Sequence, residues 1–434
     1  MSIHASPGSQ RDESSAPSDI HETTCCIVGG GPGGVVLALL LARQGIQVTL
    51  LEAHQNFDRQ FRGDTIHPSV MEILDEIGLA ERLHEFPHAR VYGPTIMTAN
   101  GPFTPFDLRR LKTRFPYIML LPQTVFLEFL TREASKYPNF RMQMGANVQK
   151  LIEEGETVRG VRYLDDAGWH DVRAVLTVGA DGRFSQVRRL AGIQPVQSAP
   201  QIDVLWFCLP HLPEDPETPS GLLARIGRGR ILAMFERGDH WQAAYVFPKG
   251  EYQELRAAGL EAMHRSILEL EPRLAAHMQH LNEWRQFSLL SVEASRCRKW
   301  YRPGLLLIGD AAHVMSPVGG VGINYAIQDA VVAANVLGEP LKAGRVEPGK
   351  LAEVQRQREW PTRFIQALQS LAQKQIGRGV RRSEQIMRIP WYVRLLARVP
   401  IVRDVPARLM AFGIKRVHVE AAHLQAKNEP IKSP

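Results

Sequence analysis

The sequence predicts an α/β fold with an added layer of β-strands, and three observations support this fold class. Helical and strand patterns alternate through the first half of the chain, which favours helices packed on a sheet. A Gly-rich turn joins a strand to a helix close to the N-terminus. From about residue 200 to 250, β-branched and aromatic runs alternate with Gly, Pro and Asp, as in strands joined by turns. This second sheet is expected to roof a pocket.

The composition is that of a folded chain with a flexible start. The 434 residues are 44% hydrophobic and 22% charged, which suits two or three domains with a sizeable core. Residues 1–22 are rich in Ser, Pro and charge, and we expect a flexible tail without a secretion or transit signal. No later stretch holds about eighteen consecutive apolar residues, so no membrane-spanning helix is expected.

The cysteines indicate a reducing compartment. Cys25 and Cys26 are adjacent, and neither Cys208 nor Cys297 belongs to a Cys-x-x-Cys pair. Buried free thiols fit this pattern, whereas a zinc site does not. We therefore expect a cytoplasmic protein without a bound metal.

Positive charge is concentrated near the C-terminus. Residues 350–434 contain 17 Lys and Arg against 6 Asp and Glu, a local balance of +11 within a net charge of +7. Within this region, residues 388–416 (RIPWYVRLLARVPIVRDVPARLMAFGIKR) mix apolar residues with arginines, and such a segment could make a weak contact with an anionic membrane surface. The alternative is a helical cap that packs its apolar side on the protein and solvates its arginines, and this is the interpretation we favour. Nucleic-acid binding is not expected, because no recognised module accompanies the charge.

The Gly-rich turn lies between a predicted strand at residues 23–29 and an apolar helix that ends at Gly45. The turn matches G-x-G-x-x-G and consists of Gly29, Gly30, Gly31, Pro32, Gly33 and Gly34. Glycines let the backbone approach a pyrophosphate, which the helix N-terminus attracts. Glu52 ends the next strand, where a carboxylate can bind ribose hydroxyls. The unit predicts dinucleotide binding, although it does not distinguish FAD from NAD; the alternative is a turn that serves packing only.

A second stretch, residues 303–330 (PGLLLIGDAAHVMSPVGGVGINYAIQDA), suits a flavin. Asp310 follows a predicted strand, where its carboxylate can accept hydrogen bonds from ribityl hydroxyls. Glycines at 319, 320 and 322 allow the backbone to lie against a flat ring. A helix that begins near Gly322 directs its N–H groups at that ring and favours negative charge on it.

These stretches resemble one known family. Residues 303–330 closely resemble the GD motif of class A flavoprotein monooxygenases, the p-hydroxybenzoate hydroxylase family. Residues 178–188 (VGADGRFSQVR) resemble the same family's DG motif. The resemblance covers roughly residues 23–350, with the motifs in the family's order. It implies a Rossmann-like FAD-binding domain, an inserted β-sheet substrate domain and C-terminal helices.

The resemblance also assigns cofactor-binding positions. Arg62, in FRGDTIHPS, takes the place of an arginine beside the pyrophosphate and the ring, and Gln123 matches a position that contacts the ribityl or phosphate end. Asp181 belongs to the segment thought to contact FAD and NAD(P)H, and Arg188 is either functional or a solvated helix residue. The complete expected set is Gly29, Gly31, Pro32, Gly33, Gly34, Glu52, Arg62, Gln123, Asp181, Asp310, Gly320, Gly322, Ile323 and Asn324, the last three through their backbone.

The implied activity is that of a monooxygenase. NADPH or NADH would reduce the flavin, which would capture O2 as a C4a-hydroperoxide and hydroxylate an aromatic or other apolar small molecule. Two alternatives remain open: a flavin dehydrogenase, oxidase or reductase of the same fold, and a non-catalytic flavin-binding auxiliary protein. The oligomeric state does not follow from the sequence.

No catalytic residue follows from the sequence. His67 and Tyr117 are weak candidates for a substrate base, and His313 is expected to be structural. Aromatic residues of the second sheet could line the substrate pocket, although at strand spacing such residues are more often core. They are Trp206, Phe207, Phe235, Tyr245 and Phe247.

The patterns and the resemblance together predict four parts of the chain. Residues 1–22 form the tail, and residues 351–434 form a C-terminal helical region. A discontinuous FAD-binding domain takes residues 23–90, 120–195 and 285–350, and the substrate domain takes residues 91–119 and 196–284.

Overall fold

The computed structural model describes residues 19–58, 64–198, 202–213, 215, 220–382, 388–397 and 399–420. The strands are β1 (Asp19–Val28), β2 (Val48–Glu52), β3 (Thr65–Ile66), β4 (Ala89–Val91), β5 (Gly93–Thr98), β6 (Gly101–Phe103), β7 (Ile118–Leu120), β8 (Phe140–Met144), β9 (Asn147–Glu154), β10 (Thr157–Asp165), β11 (Gly168–Gly179), β12 (Pro195–Ser198), β13 (Ile202–Pro210), β14 (Gly221–Gly227), β15 (Arg230–Glu236), β16 (His240–Pro248), β17 (Ser288–Leu290), β18 (Ala294–Cys297), β19 (Tyr301–Arg302), β20 (Leu305–Leu307) and β21 (His313–Val314). The helices are α1 (Pro32–Arg43), α2 (Pro68–Glu76), α3 (Ala80–His84), α4 (Gln123–Ala134), α5 (Gln186–Leu190), α6 (Tyr252–Ala257), α7 (Leu260–Leu270), α8 (Gly322–Lys342), α9 (Pro348–Arg382), α10 (Trp391–Leu396) and α11 (Pro400–Phe412), with 3-10 turns at Leu108–Arg110, Pro272–His280, Trp284–Gln286 and Gly309–Ala311.

The first sheet has parallel strands at its centre. The order is β19-β20-β11-β1-β2-β8; β20, β11, β1, β2 and β8 run parallel to one another, and β19 pairs antiparallel with β20. β10 pairs antiparallel with β11, and β9 pairs antiparallel with β10. The central strands β1, β2, β11 and β20 end in largely apolar runs, because both faces of the sheet are buried there. Together with the helices, this sheet confirms the predicted α/β fold class.

β1 begins earlier than the sequence predicted. Residues 19–22 were assigned to the flexible tail, but they pair in parallel with His170–Arg173 of β11. Their polar side chains hid the strand from the hydrophobic pattern. β11 is twelve residues long and therefore offers backbone partners beyond the apolar part of β1.

The layer beside the first sheet contains α1, α4 and α8. α1 is buried over almost its whole length, so its composition is apolar on all sides. A Cβ on Gly33 would lie 3.1 Å from the backbone oxygen of Ala326 in α8. Gly33 therefore permits the close approach of α1 to α8.

The second sheet has seven strands in the order β17-β13-β16-β15-β14-β5-β6. Its pairs are antiparallel except for β14 with β5. One difference from the predicted boundaries is β17, which joins this sheet although residues 285–350 were assigned to the other domain. The three-residue strand pairs with Val204–Trp206 of β13, and so short an edge strand carries no pattern of its own.

The C-terminal helices differ from one another in their packing. Ala407, Ala411 and Phe412 of α11 are buried against Leu108 and its neighbours, so α11 is a cap. α10 is held by Arg394, whose guanidinium donates to the backbone oxygens of Pro102 and Gly101. α10 nevertheless leaves large apolar side chains in solvent, with Trp391 75% exposed. Within the described ranges, each helix is too short or too polar to cross a membrane.

Candidate active site

Four strand ends converge at one edge of the first sheet. β1 ends before Gly29, β2 ends at Glu52, β11 ends before Asp181 and β20 ends before Asp310. These strands are parallel neighbours in the order β20-β11-β1-β2. The carboxyl ends of such strands form the crevice in which open α/β sheets bind ligands. The structure therefore brings the three predicted motifs and the acidic residue together.

The Gly-rich turn combines steric necessity with open space. Gly29 has φ +108°, and a Cβ there would lie 2.5 Å from the Ala180 oxygen; a Cβ on Gly34 would lie 2.0 Å from the Gly29 oxygen. Gly31 differs, because the nearest neighbour of a Cβ added there would be the Ala180 oxygen at 4.0 Å. Space therefore remains beside Gly31 at the N-terminus of α1, where backbone N–H groups attract an anion.

Glu52 is fixed beside this turn. The carboxylate is 2% exposed, and Oε2 accepts a hydrogen bond from the Gly30 N–H at 2.8 Å. Oε1 accepts from the His54 N–H at 3.0 Å and lies 2.6 Å from His54 Nδ1. The side chain is thus oriented at the end of β2, and its contact with a ribose stays a prediction.

The loop at residues 316–321 is shaped by side-chain contacts. Gly320 has φ +63°, and its oxygen accepts a hydrogen bond from the Thr65 hydroxyl at 2.8 Å. Asn324 Nδ2 donates to the Gly320 oxygen at 3.1 Å and to the Thr65 oxygen at 3.2 Å. Asn324 Oδ1 accepts from the His67 N–H at 2.8 Å. The Asn324 side chain therefore fixes the loop. Its backbone N–H belongs to the first turn of α8.

α8 begins directly after this loop. Its 21 residues start at Gly322, where the nearest neighbour of an added Cβ would be Met315 Cβ at 3.9 Å. The following residue, Ile323, is partly buried against the core. The first N–H groups of a helix carry partial positive charge. Open space before these groups fits a flat group that becomes negatively charged, as a reduced flavin does.

The DG and GD segments are joined by Arg188. Its Nη1 donates to the backbone oxygen of Ala311 at 2.9 Å and to that of Asp310 at 3.4 Å, and its Nη2 donates to the Arg183 oxygen at 2.8 Å. These bonds link α5 to the loop that carries Asp310. The side chain of Arg188 is thus a structural link rather than a solvated helix residue.

Asp181 is used at the N-terminus of α5. Its carboxylate accepts hydrogen bonds from the Val187 N–H, at 2.9 Å, and from the Ser185 hydroxyl. Burial raises the pKa of Asp181, against the effect of these hydrogen bonds. The contact of Asp181 with a cofactor therefore stays a prediction beside an observed structural role.

His313 belongs to a buried ionic cluster. Its Nε2 lies 2.6 Å from Asp329 Oδ2, and Arg358 Nε donates to Asp329 Oδ1 at 2.7 Å. Asp329 Oδ2 also accepts from the Gly309 N–H at 3.0 Å. Burial acts to raise the pKa of Asp329, but the imidazole and the guanidinium outweigh it and the pKa falls. The cluster anchors the GD segment, as the structural interpretation of His313 predicts.

The two remaining predicted positions have different outcomes. Arg62 lies outside the described residues. Gln123 is the first residue of α4 and is half-buried. Next to it, the Thr124 hydroxyl donates to the Phe57 oxygen at 3.3 Å. A cofactor contact of Gln123 stays a prediction.

The second sheet divides the five aromatic candidates between its faces. Phe207, Tyr245 and Phe247 are buried with the residues of α7 and are core. Trp206 and Phe235 lie on the opposite face, in a cluster that includes Val318 of the 316–321 loop. Their ring centroids are 5.9 Å apart. Only this face, which we call the inner face, can line a pocket beside the loop.

The inner face also carries polar residues that the sequence analysis missed. Arg237 forms an ion pair with Asp64, and its Nε donates to Gln242 Oε1 at 2.8 Å. Burial lowers the pKa of Arg237 to about 10. Asp64 precedes Thr65, which binds Gly320, so the pair lies next to the loop. The only indication in the sequence was the i, i+2 spacing of Phe235 and Arg237, which places both side chains on the same side of an extended chain.

Neither candidate base is placed to act on a substrate. His67 is 1% exposed, its Nδ1 lies 2.7 Å from the Met410 oxygen, and burial lowers its pKa to about 4. Tyr117 forms a hydrogen bond with His84 through its hydroxyl, and burial raises the pKa of Tyr117.

Cys208 differs from the expected buried thiols, because its position on β13 is exposed.

The sequence of the chain matches that of a described family. A family profile named "FAD binding domain" matches residues 22–360. A 6-methylpretetramide 4-monooxygenase of Streptomyces rimosus is 36% identical over 413 residues, which span 93% of this chain and 96% of that protein. A rifampicin monooxygenase of Streptomyces venezuelae is 29% identical over 68% of this chain and 60% of its own length.

Solved structures of similar fold agree. The OxyS anhydrotetracycline hydroxylase from Streptomyces rimosus superposes with a TM-score of 0.71 at 24% identity, over 90% of this chain and 76% of that one. PqsL from Pseudomonas aeruginosa, described as a probable FAD-dependent monooxygenase, has a TM-score of 0.70 at 22% identity, over 83% and 99%. At these identities the likeness shows the fold.

Proposed function

The chain belongs to the FAD-binding family of class A flavoprotein monooxygenases, and from this premise we propose that its substrate is a polycyclic aromatic molecule with an acidic oxygen substituent. The enzyme is an FAD-dependent oxidoreductase that inserts one oxygen atom of O2 into a small molecule with electrons from NAD(P)H. The relative that matches almost end to end is named for 6-methylpretetramide, and others are named for anhydrotetracycline. These names support fused aromatic rings as the substrate class.

One observation carries the substrate proposal. The inner face is apolar around Trp206 and Phe235, but it contains the Arg237–Asp64 pair at the loop. Flat apolar walls bind aromatic rings through area and stacking. A single buried guanidinium in such a pocket selects a molecule that presents an anionic or strongly polar oxygen.

FAD fits the observed edge of the first sheet. The open space beside Gly31 suits the pyrophosphate, and the open space before Gly322 suits the ring. When bound, FAD accepts hydride from NAD(P)H and activates O2. Within the described part of the chain, the proposed contacts are Gly29, Gly31, Pro32, Gly33, Gly34, Glu52, Gln123, Asp181, Asp310, Gly320, Gly322, Ile323 and Asn324.

The residues of the chain then have distinct tasks. The N-terminus of α1 binds the phosphates, and that of α8 stabilises negative charge on the ring. Trp206 and Phe235 would hold the substrate and exclude water from the site. Arg237 orients the oxygen of the substrate. The balance is substrate C–H, O2, NAD(P)H and H⁺ converted to substrate C–OH, H2O and NAD(P)⁺.

An isotope experiment tests this function. FAD-loaded enzyme, NADPH or NADH, and 6-methylpretetramide or anhydrotetracycline are incubated under ¹⁸O2. We expect a product heavier by one ¹⁸O atom and NAD(P)H oxidation that the substrate accelerates. Oxidation of the substrate without ¹⁸O would favour the dehydrogenase alternative, and absence of NAD(P)H oxidation with every aromatic tested would favour an auxiliary protein.

A reducing compartment remains part of the proposal. Cys25, Cys26 and Cys297 are free and buried, and burial raises the pKa of Cys26 to about 12. Such thiols are unreactive and need no oxidising compartment. A cytoplasmic location is supported by this usage, and fractionation of the producing cells tests it.

A further inference from the structure

α9 exposes several large apolar side chains although it buries several polar ones. Four large apolar side chains recur at helical spacing and are between 38% and 59% exposed: Trp360, Phe364, Leu368 and Leu371. We call them the outer stripe. The side of α9 that faces the protein buries polar side chains beside apolar ones: Arg358, Thr362, Gln369 and Gln373 are buried together with Leu351, Val354 and Ile365. A helix normally buries its apolar side, so the outer stripe is expected to meet another surface.

The buried polar side has a task of its own. Gln369 Nε2 donates to the backbone oxygens of Ser316 and Val318, at 2.9 and 2.8 Å. Gln373 Nε2 donates to Ser316 Oγ at 2.6 Å. Arg358 completes the Asp329 cluster. α9 therefore braces the 316–321 loop from behind, and this role explains its buried polar side chains but not its exposed apolar ones.

A cationic groove adjoins the start of the outer stripe. It measures about 580 Å³, and Trp360 is one of its walls. Arg298, Lys299, Arg356 and Arg363 line it together with a single carboxylate, Glu359. Arg363 and Glu359 are 3.9 Å apart, and the Arg363 side chain is 61% exposed, so the pair is weak in water. The groove keeps an excess of positive charge that attracts anions.

The combination favours a lipid surface over a second copy of the chain. Exposed Trp, Phe and Leu beside arginines are the residues that peptides use at the interface of an anionic bilayer. Basic pockets next to an apolar surface bind lipid phosphates. A twofold dimer would bring the same patch against itself, and with it the same cations. The C-terminal balance of 17 basic against 6 acidic residues adds long-range attraction to anionic lipid.

We propose that the outer stripe and the cationic groove together dock this enzyme onto an anionic lipid bilayer. The stripe inserts among the upper acyl segments, and the groove takes a phosphate headgroup. The sequence analysis assigned such a contact to residues 388–416; the cationic groove beside the outer stripe leads us to assign it to α9. Reversible contact brings the enzyme to the phase in which apolar aromatic substrates concentrate.

Vesicle flotation with the FAD-loaded, full-length enzyme tests the proposal. We expect binding to phosphatidylcholine vesicles that contain phosphatidylglycerol, little binding to phosphatidylcholine alone, and release at high salt. R356Q/R363Q should weaken binding about 30-fold, because each cation near the surface contributes about 1 kcal/mol. F364S/L371S should weaken it at least about tenfold through lost apolar area.

Matched controls separate the site from general effects. R285Q/R345Q removes the same charge from other exposed positions, and V196S/L289S removes apolar area from other exposed strands. Both should bind as the unchanged enzyme does, and all four variants should keep FAD and NAD(P)H oxidation. Equal binding to both lipid compositions, or equal loss in the control pairs, would overturn the proposal. Sedimentation that reveals a dimer broken by F364S/L371S, without vesicle binding, would overturn it in favour of a second copy.

Discussion

The carboxyl edge of the first sheet and the inner face of the second sheet build their halves of the active site by different means. At the sheet edge, backbone groups and absent side chains form the site: Gly29 and Gly34 leave no room for a Cβ, whereas Gly31 leaves space for a ligand. At the inner face, side chains form it, with Trp206 and Phe235 around the Arg237–Asp64 pair. The difference implies that cofactor binding tolerates almost no change, whereas substrate selection can shift by single side-chain replacements.

The largest effect is expected from Gly31→Ala, which tests the edge. Gly31 has φ −76°, so alanine suits the backbone, and the added Cβ meets no close protein atom. It would enter the space proposed for the pyrophosphate and cost two or more charge-assisted hydrogen bonds, about 4 kcal/mol or about 1,000-fold in FAD affinity. Flavin titration of the apoprotein measures it.

Without FAD, the Gly31→Ala variant should have the same free energy of unfolding as the unchanged apoprotein. Gly349→Ala is the matched control, because a Cβ there meets nothing within 4 Å, and it should leave FAD affinity intact. Tight FAD binding by Gly31→Ala would contradict the assignment of the turn to the pyrophosphate.

Arg237→Ala tests the inner face. Removal of the guanidinium leaves Asp64 as an uncompensated, largely buried charge, which should lower the free energy of unfolding by about 3 kcal/mol. FAD affinity should be unchanged, while the KM for the aromatic substrate rises. Arg237→Lys keeps the charge without the planar fork and should give an intermediate KM.

The control for this pair is Arg285→Ala, whose partner Glu283 is at the surface. It should cost less than about 1 kcal/mol. If Arg237→Ala lost FAD while the KM stayed constant, the pair would belong to the cofactor half rather than the substrate half.

His67 lies where the two halves meet, and its burial predicts a pH dependence. The pKa of His67 is about 4 in the folded protein and about 6.5 in the unfolded chain. Between these values the unfolded chain binds the proton and the folded protein does not, so stability falls as the pH decreases from 6.5 towards 4. At pH 5 the loss is about 2 kcal/mol.

Urea unfolding at pH 7, 6 and 5 measures this loss. His67→Gln can still donate to the Met410 oxygen but cannot titrate, so the pH slope should be smaller by that amount. An unchanged slope in the variant would show that other groups cause the acid sensitivity.

The smallest effect separates the two sides of the second sheet. Phe235→Leu should change the substrate KM up to about tenfold and stability by about 1 kcal/mol or less, because Phe235 is only partly buried on the inner face. Phe247→Leu lies in the core with α7 and should affect stability while the KM stays constant. Michaelis–Menten and unfolding measurements on both variants test this difference. A changed KM in Phe247→Leu with an unchanged KM in Phe235→Leu would show that the pocket does not lie on the inner face.

The sequence predicted the carboxyl edge of the first sheet well, because this part of the site requires particular residue types at particular positions. Backbone contacts under 3 Å require glycine at positions 29 and 34, and a carboxylate, Asp310, follows a buried strand. These requirements fix the residue types, which the sequence shows directly. The fold class followed for the same reason. Contacts between distant side chains impose no such requirement. The roles of Arg188 and of the Asp329 cluster were therefore found only in the structure.

The inner face was beyond sequence analysis because it depends on register. Phe235 pairs with Gln242 across β15 and β16, and this register places Arg237 and Gln242 on the same side of the sheet. Asp64 then reaches them from a segment about 170 residues earlier in the chain. The division of the five aromatic residues follows from the same alternation. The exposed outer stripe of α9 was hidden because its helical pattern alone does not reveal which side is buried.

The order of strands in the first sheet has a consequence for how the enzyme folds during its synthesis on the ribosome. β20, at residues 305–307, lies beside β11, and α8 follows it to residue 342. A ribosome synthesises β1, β2 and β11, and every strand of the second sheet, before it releases β20. Domains fold as units as the chain emerges. The nascent chain therefore cannot hold its cofactor until about three quarters of it has been made, and flavin capture belongs to the end of synthesis.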